Sequence, residues 1–278
     1  MKKIFILALA SAWLGYSANA QSDSTDNPKI KVKLSVNYNS HLNYYGRTDS
    51  LRSSGFFPLA ELWFNENFYI SAAPIFVNNK SASFDYAGTV ATAGYQFLST
   101  DKKWLGNLYV VKPFYESNSQ LVQSTLKAQG SFTITNLNKF LDVTGGADVK
   151  FSDKVDFGVT GGLDHIFRKQ FADNSVLVVD PSAYIFAGTQ QFTRSYYKKN
   201  NFLLFPGVGQ TVSEEVKTFS ILSDELSMPV ILVKDKFQFL FTPAYVMPQN
   251  LVIVQGRPDL SERGKEMFYV TVGVKVVL

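Results

Sequence analysis

Cysteine is absent from the 278 residues, which excludes a disulfide scaffold, a thiolate metal site, a cysteine nucleophile and a lipidated N-terminal cysteine. Histidine is nearly absent. His41 and His165 are the only two, too few for a three-histidine metal centre. Charged residues make up 18% of the chain, less than the usual quarter of a soluble domain. Beyond the first twenty residues no run of 18 apolar residues occurs, so no membrane helix is expected there. The sequence has no basic tract long enough to bind nucleic acid. It also has no phosphate loop, Gly-x-Ser-x-Gly elbow or His-Glu-x-x-His helix. Rings, by contrast, are abundant, with 24 Phe and 14 Tyr.

The N-terminus reads as an address. Lys2 and Lys3 precede an apolar run from Ile4 to Leu9, and Ala18-Asn19-Ala20 supplies a small-x-small cleavage pattern. This is the layout of a secretory signal peptide over residues 1–20, with the mature chain starting at Gln21. Cleavage lowers the formal net charge from +4 to +2. A short polar lead over 21–28 follows, then a single domain over 29–278.

From Ile30 the period is two. Ile30, Val32, Leu34, Val36 and Tyr38 alternate with Lys31, Lys33, Ser35, Asn37 and Asn39. Phe268, Val270, Val272, Val274, Val276 and Leu278 share one face of the last segment. Phe237, Phe239, Phe241 and Tyr245 form a third one-sided stripe. Such alternation sets an apolar medium against a polar one across each strand. Further strands are expected near 55–65, 67–77, 84–98, 103–116, 120–135, 139–151, 155–167, 176–190 and 217–233. The segment 120–130 also fits a short helix.

Three features put the apolar stripes outside. Twelve strands over the mature chain match the length of tilted bilayer spans. Aromatics crowd the strand ends (Tyr44, Tyr45, Phe56, Phe57, Trp63, Phe64, Phe68, Tyr69, Trp104), as interfacial girdles require. Connections alternate between long (40–54, 190–216, 249–266) and short (65–67, 99–103, 234–236). The fold class expected is therefore all-β, a transmembrane antiparallel β-barrel of about 12 strands, with 10 or 14 as alternatives.

The last strand carries a resemblance. Thr271, Gly273, Val276 and Leu278 occupy the polar, glycine and apolar places of a C-terminal insertion signal, which ends here in leucine instead of an aromatic. The chain thus resembles a Gram-negative outer-membrane β-barrel protein. The resemblance implies an outer-membrane location, assembly by the barrel-assembly machinery, and lipid and lipopolysaccharide as neighbours. It reaches no family of known substrate.

Pairing across Ser152-Asp153-Lys154 sorts two strands by face. Val149–Phe157, Ala147–Val159 and Val143–Leu163 share one side, while Lys150 meets Asp156, Gly146 meets Thr160 and Asp142 meets Asp164 on the other. The lumen-lining candidates are Lys31, Lys33, Asn37, Asp142, Asp148, Lys150, Asp156, Thr160 and Asp164. An acidic strip in a narrow pore favours cations, whereas the plainer reading is a wet lumen wall. His165, next to Asp164, points to the opposite face, and His41 has no nucleophile at a recognisable spacing. Tyr196-Tyr197-Lys198-Lys199 and the mixed-charge run 257–266 read as solvated loops, and Gly207-Val208-Gly209 as a turn.

The expected function is a passive channel or transporter for small polar solutes. The alternative is a plugged structural or surface-interaction barrel acting through its long loops, with an outer-membrane hydrolase a distant third. No cofactor, metal or catalytic residue is expected.

Overall fold

The computed structural model describes residues 30–81, 83–119, 121–173, 175–191, 219–253 and 261–278. The expected signal peptide and polar lead, the Tyr196–Lys199 and Gly207–Gly209 runs and residues 257–260 of the mixed-charge loop lie outside them. Fifteen strand segments form a single antiparallel sheet. They are β1 (Lys31–Asn39), β2 (Ser54–Trp63), β3 (Phe68–Asn78), β4 (Asp85–Leu98), β5 (Trp104–Tyr115), β6 (Ala128–Asn136), β7 (Asp142–Phe151) and β8 (Val155–Asp164). After these come β9 (Phe167–Gln170), β10 (Val176–Val179), β11 (Ser182–Gly188), β12 (Ser220–Ser227), β13 (Val230–Lys234), β14 (Phe237–Pro248) and β15 (Met267–Val277). β15 pairs back onto β1, with Val276 opposite Leu34, and β12 pairs with β14. The sheet therefore closes.

The ring contains twelve spans, three of them interrupted. The chain passes from β8 into β9 across His165-Ile166, from β10 into β11 across Asp180-Pro181, and from β12 into β13 across Met228-Pro229. Pro181 and Pro229 have no N–H to give a ladder. Their carbonyls still serve: His165 N–H donates to Pro181 O at 3.2 Å and Asp180 N–H to Pro229 O at 2.9 Å. Met228 N–H likewise reaches Pro243 O at 3.1 Å. The breaks line up across neighbouring spans and leave the wall continuous.

One expected strand is shorter than its pattern. Residues 122–125 form a 3₁₀ turn and β6 begins only at Ala128. Leu121, Val122 and Leu126 are buried; they gain more by packing inside the barrel mouth than by extending a strand beyond the wall.

The start of β1 and the end of β15 share one end of the barrel, together with the short connections 64–67, 99–103, 137–141, 171–175 and 235–236. The strand ends that bound 40–53, 79–84, 116–127, 152–154, 189–219 and 249–266 share the other. Short turns mark the periplasmic end of such barrels and long loops the outer end. The tight Ser152–Lys154 turn lies at the outer end, the one short connection there that departs from the rule.

The faces are inverted relative to a soluble protein. Leu34, Val36, Leu108, Val110, Phe157, Val159, Phe239 and Val274 are exposed on the outer wall, while Lys33, Asn37, Gln96, Lys150 and Lys275 are buried inside. Val159 lies midway along β8 and outward. Val159→Arg is expected to cost about 2–4 kcal/mol of bilayer-folded stability, against at most about 1 kcal/mol for Val155→Arg at the strand end. Urea titration of folding into lipid vesicles measures both.

The aromatic girdle needs correcting. Phe56, Phe64, Phe68 and Trp104 do not belong to the buried core, and Phe64, Phe68 and Trp104 are exposed on the outer wall. Tyr44, Tyr45, Phe57, Trp63 and Tyr69 are buried within the barrel. Adjacent residues on a strand face opposite sides, so Phe56-Phe57 and Phe68-Tyr69 must split between lipid and lumen.

Candidate functional site

The first outer loop does not stay outside. Residues 42–49 are all buried, because this loop folds back into the mouth of the barrel. Tyr44 and Arg47 exchange backbone hydrogen bonds of 2.8 and 2.9 Å around Tyr45 and Gly46, both at positive φ (53° and 75°). That is a two-residue hairpin of the primed type, with Asn43 Oδ1 accepting from Gly46 N–H at 3.1 Å. A tyrosine at positive φ is strained. Ring contacts hold it there: Tyr45 lies 4.5 Å edge-on to Tyr44 and 5.4 Å from Phe186. Burial raises the pKa of both phenols well above the ordinary tyrosine value, so they remain neutral.

The walls around this hairpin are apolar on their inner face. Phe57, Ile75, Val77, Val111, Phe186 and Leu222 form a core with Leu42, Tyr44 and Tyr45 from the loop and Leu121, Val122 and Leu126 from the 3₁₀ turn. One cation pins the assembly. Arg47 is 0% exposed; its Nε donates to Glu262 Oε2 at 3.1 Å, its Nη1 to the carbonyls of Tyr45 (2.9 Å) and Leu222 (2.7 Å), and its Nη2 to Gln249 O at 2.9 Å. The planar guanidinium thus ties the first loop, the wall and the last loop together, using the fork geometry that lysine lacks.

Elsewhere the inner wall is polar and charged. Lys275 Nζ donates to Glu61 Oε2 at 2.7 Å. Lys33 Nζ sits 4.0 Å from the centre of the Trp63 ring, which in turn stacks on Tyr69 at 4.7 Å. Lys150 pairs with Asp148, and a Cβ on Gly158 would come within 2.8 Å of both groups, so a larger residue there would push the tips of these two side chains aside. Asp156 accepts from Thr189 Oγ1 at 2.6 Å and from Gln191 N–H at 2.9 Å. Trp63 Nε1, Gln96 Nε2, Asn107 Oδ1 and Ser223 Oγ are buried with no hydrogen-bond partner among the described residues. Three of these four lie toward the periplasmic ends of β2, β4 and β5.

Of the residues singled out from sequence, Lys33, Asn37, Asp142, Asp148, Lys150, Asp156 and Asp164 are buried on the inner face. Lys31 and Thr160 are half-buried there. Asp142 stands directly opposite Asp164. Asp142 Oδ1 accepts from Asn138 N–H at 2.5 Å and Asp164 Oδ1 from Tyr184 Oη at 3.1 Å. Asp180, at the break between β10 and β11, is half-buried, its Oδ1 without a hydrogen-bond partner among the described residues. Among the described residues no three His, Asp or Glu side chains are placed to hold a metal ion together. His165 packs edge-on to Phe167 at 4.4 Å. His41 is exposed, its Nδ1 3.2 Å from Ser40 Oγ. In the insertion segment, Thr271 accepts from Asn39 Nδ2 at 2.8 Å, Gly273 makes room for Asn37, Val276 is half-buried and Leu278 is exposed.

A closed antiparallel ring with an apolar outer wall, a charged interior, short turns at one end and long loops at the other leaves one reading. This is an outer-membrane β-barrel. No family model matches the chain, and no curated protein does. Similar solved structures include the KdgM porin, with 10% identity over 88% of this chain and 98% of that one at a TM-score of 0.48. The β domain of the Bordetella autotransporter BrkA is similar over 91% and 100% at 8% identity and TM-score 0.46. LpxR from Salmonella typhimurium is similar over 88% and 99% at 10% identity and TM-score 0.43. Likeness at this level carries no argument about function. Within this barrel, the residues that sequence reasoning missed are Arg47, Glu262 and the inward tyrosines. The visible signal was Leu42, Tyr44 and Tyr45 together in a loop, more apolar surface than a solvated loop carries.

Proposed function

We propose that the barrel is a channel for small polar solutes whose outer mouth is closed, in this conformation, by its own first loop. The observation that carries this reading is the set of orphaned polar atoms on the inner wall. A permanently dry interior would lose about 1–3 kcal/mol at each buried donor or acceptor left unpaired, and such groups in proteins bond to water. Gln96, Asn107 and Ser223 are therefore groups that would gain water partners once the mouth opens and the lumen fills. Asp142, Asp164 and Asp180 set its sign, since carboxylates lining a narrow lumen attract cations.

The competing reading is a permanently plugged barrel whose loops bind a partner. The apolar packing of Leu42, Tyr44 and Tyr45 favours it. Planar-bilayer recording separates the two. Under a potassium chloride gradient the expected current is intermittent and cation-selective. Asp142→Asn combined with Asp164→Asn should move the reversal potential toward zero and reduce the cation preference several-fold. A folded, inserted barrel that stays silent even with its loop released rules out the channel and leaves the plugged reading.

A further inference from the structure

The outer wall carries one feature that the channel reading does not use. Across β2 to β5 the lipid-facing surface sinks into an open groove of about 600 Å³. Its floor is made of Ala60, Ala72, Ala91 and Ala93, while Leu62, Ile70 and Val110 rise along one side. The floor follows a ladder row: Leu34 faces Ala60, Ala60 faces Ala72, Ala72 faces Ala91 and Ala91 faces Lys112. This row climbs the wall. Leu34 is the fourth residue from the periplasmic end of β1, and Lys112 is the fourth from the outer end of β5.

Lys112 is an independent observation. Among the described residues of β1 to β8, it is the only charged side chain facing outward away from the strand ends. It is exposed and makes no ion pair or hydrogen bond with the described residues; its ammonium lies 5.7 Å from the centre of the Phe114 ring, one outward position nearer the mouth. Its height follows from strand geometry. Lys112 is eight residues above Trp104, which stands exposed at the periplasmic rim. At about 3.3 Å per residue and a tilt of about 40°, that is about 20 Å along the bilayer normal, close to the outer edge of an apolar band about 25 Å tall.

We propose that this groove binds a phosphate-bearing saccharolipid of the outer leaflet, of the lipopolysaccharide class. Its phosphate meets Lys112, and one acyl chain runs down the alanine floor into the membrane. The slope of the groove is what an acyl chain descending from an interfacial headgroup requires. A second copy packed isologously on the same β1 to β5 face fits less well, because that face would set Lys112 against a wall that, among its described residues, carries no outward carboxylate away from the strand ends. An ordinary phospholipid would supply the same phosphate chemistry, but the height of Lys112 places the contact in the outer leaflet.

Native mass spectrometry of the full-length mature barrel tests this. Released from detergent after incubation with rough-type lipopolysaccharide, the wild type should retain one saccharolipid. Lys112→Gln, or dephosphorylation of the lipid, should each reduce the retained fraction about fivefold, the worth of one lysine at a charged lipid surface. Ala91→Phe fills the floor while leaving Lys112 in place, and should reduce it comparably. Both variants are first checked for the heat-dependent electrophoretic shift of a closed barrel. Binding at the wild-type level by either folded variant, or equal retention of phosphatidylglycerol, overturns the proposal. None of these readouts depends on conductance, so the groove and the channel stand or fall separately.

Discussion

Arg47→Ala is expected to turn a mostly closed barrel into a steadily conducting one. The argument rests on what the guanidinium leaves behind. In the closed state Glu262 is buried and bonded to Arg47 Nε at 3.1 Å, and three carbonyls spend their acceptor capacity on Nη1 and Nη2. Removing one member of a buried pair costs about 3–5 kcal/mol, because the other charge remains uncompensated. When the loop leaves the mouth, Glu262 and the carbonyls regain water, so the penalty falls on the closed state alone. A shift of about 3 kcal/mol moves a two-state equilibrium more than a hundredfold. Open probability in planar bilayers is the direct readout. Arg47→Lys should fall between the two, since an ammonium keeps the charge but cannot span four acceptors. Glu262→Gln should open the mouth less, because the bonds to Tyr45, Leu222 and Gln249 survive. If a folded Arg47→Ala barrel passes no current, the apolar core around Tyr44 and Tyr45 closes the mouth by itself and the plugged reading takes over.

The wall of this protein was legible from its sequence because alternation is a local signal. Lys33, Ser35, Asn37 and Asn39 repeat every second residue, and a period of two needs no knowledge of the partner strand. The opposition of Asp142 and Asp164 could be read from the tight Ser152–Lys154 turn, because turn length fixes register. What fills the barrel was not legible in this way. The core around Tyr45 draws Phe57 from β2, Val111 from β5, Phe186 from β11 and Leu222 from β12, and contacts so far apart in sequence leave no periodic trace. Inner positions near the mouth, such as Ile75 and Val77, sit among outward apolar neighbours, so the two faces look alike there. Arg47 was invisible for a related reason. Three of its four acceptors are backbone oxygens, and those carry no residue identity.

Glu61 offers the sharpest probe of the interior, because two lysines depend on it. Lys275 on β15 bonds it at 2.7 Å, and Lys33 stands directly opposite it on β1. This triad straddles the seam where the first and last spans close the ring. Glu61→Leu leaves two ammonium groups facing each other in a buried wall, with the Trp63 ring as the remaining attraction for Lys33. The expected loss is about 3–5 kcal/mol of folding stability, from the uncompensated charge. Lys275→Met is expected to cost much less, about 1–3 kcal/mol, since Glu61 keeps Lys33 as its counter-ion and loses one charged hydrogen bond. Urea unfolding in lipid vesicles compares the two directly. The asymmetry is the informative quantity, because a well-hydrated seam would screen all three charges and bring both losses below about 1 kcal/mol. Unequal losses would place water elsewhere in the lumen, around Gln96, Asn107 and Ser223, and leave the seam as a dry electrostatic staple.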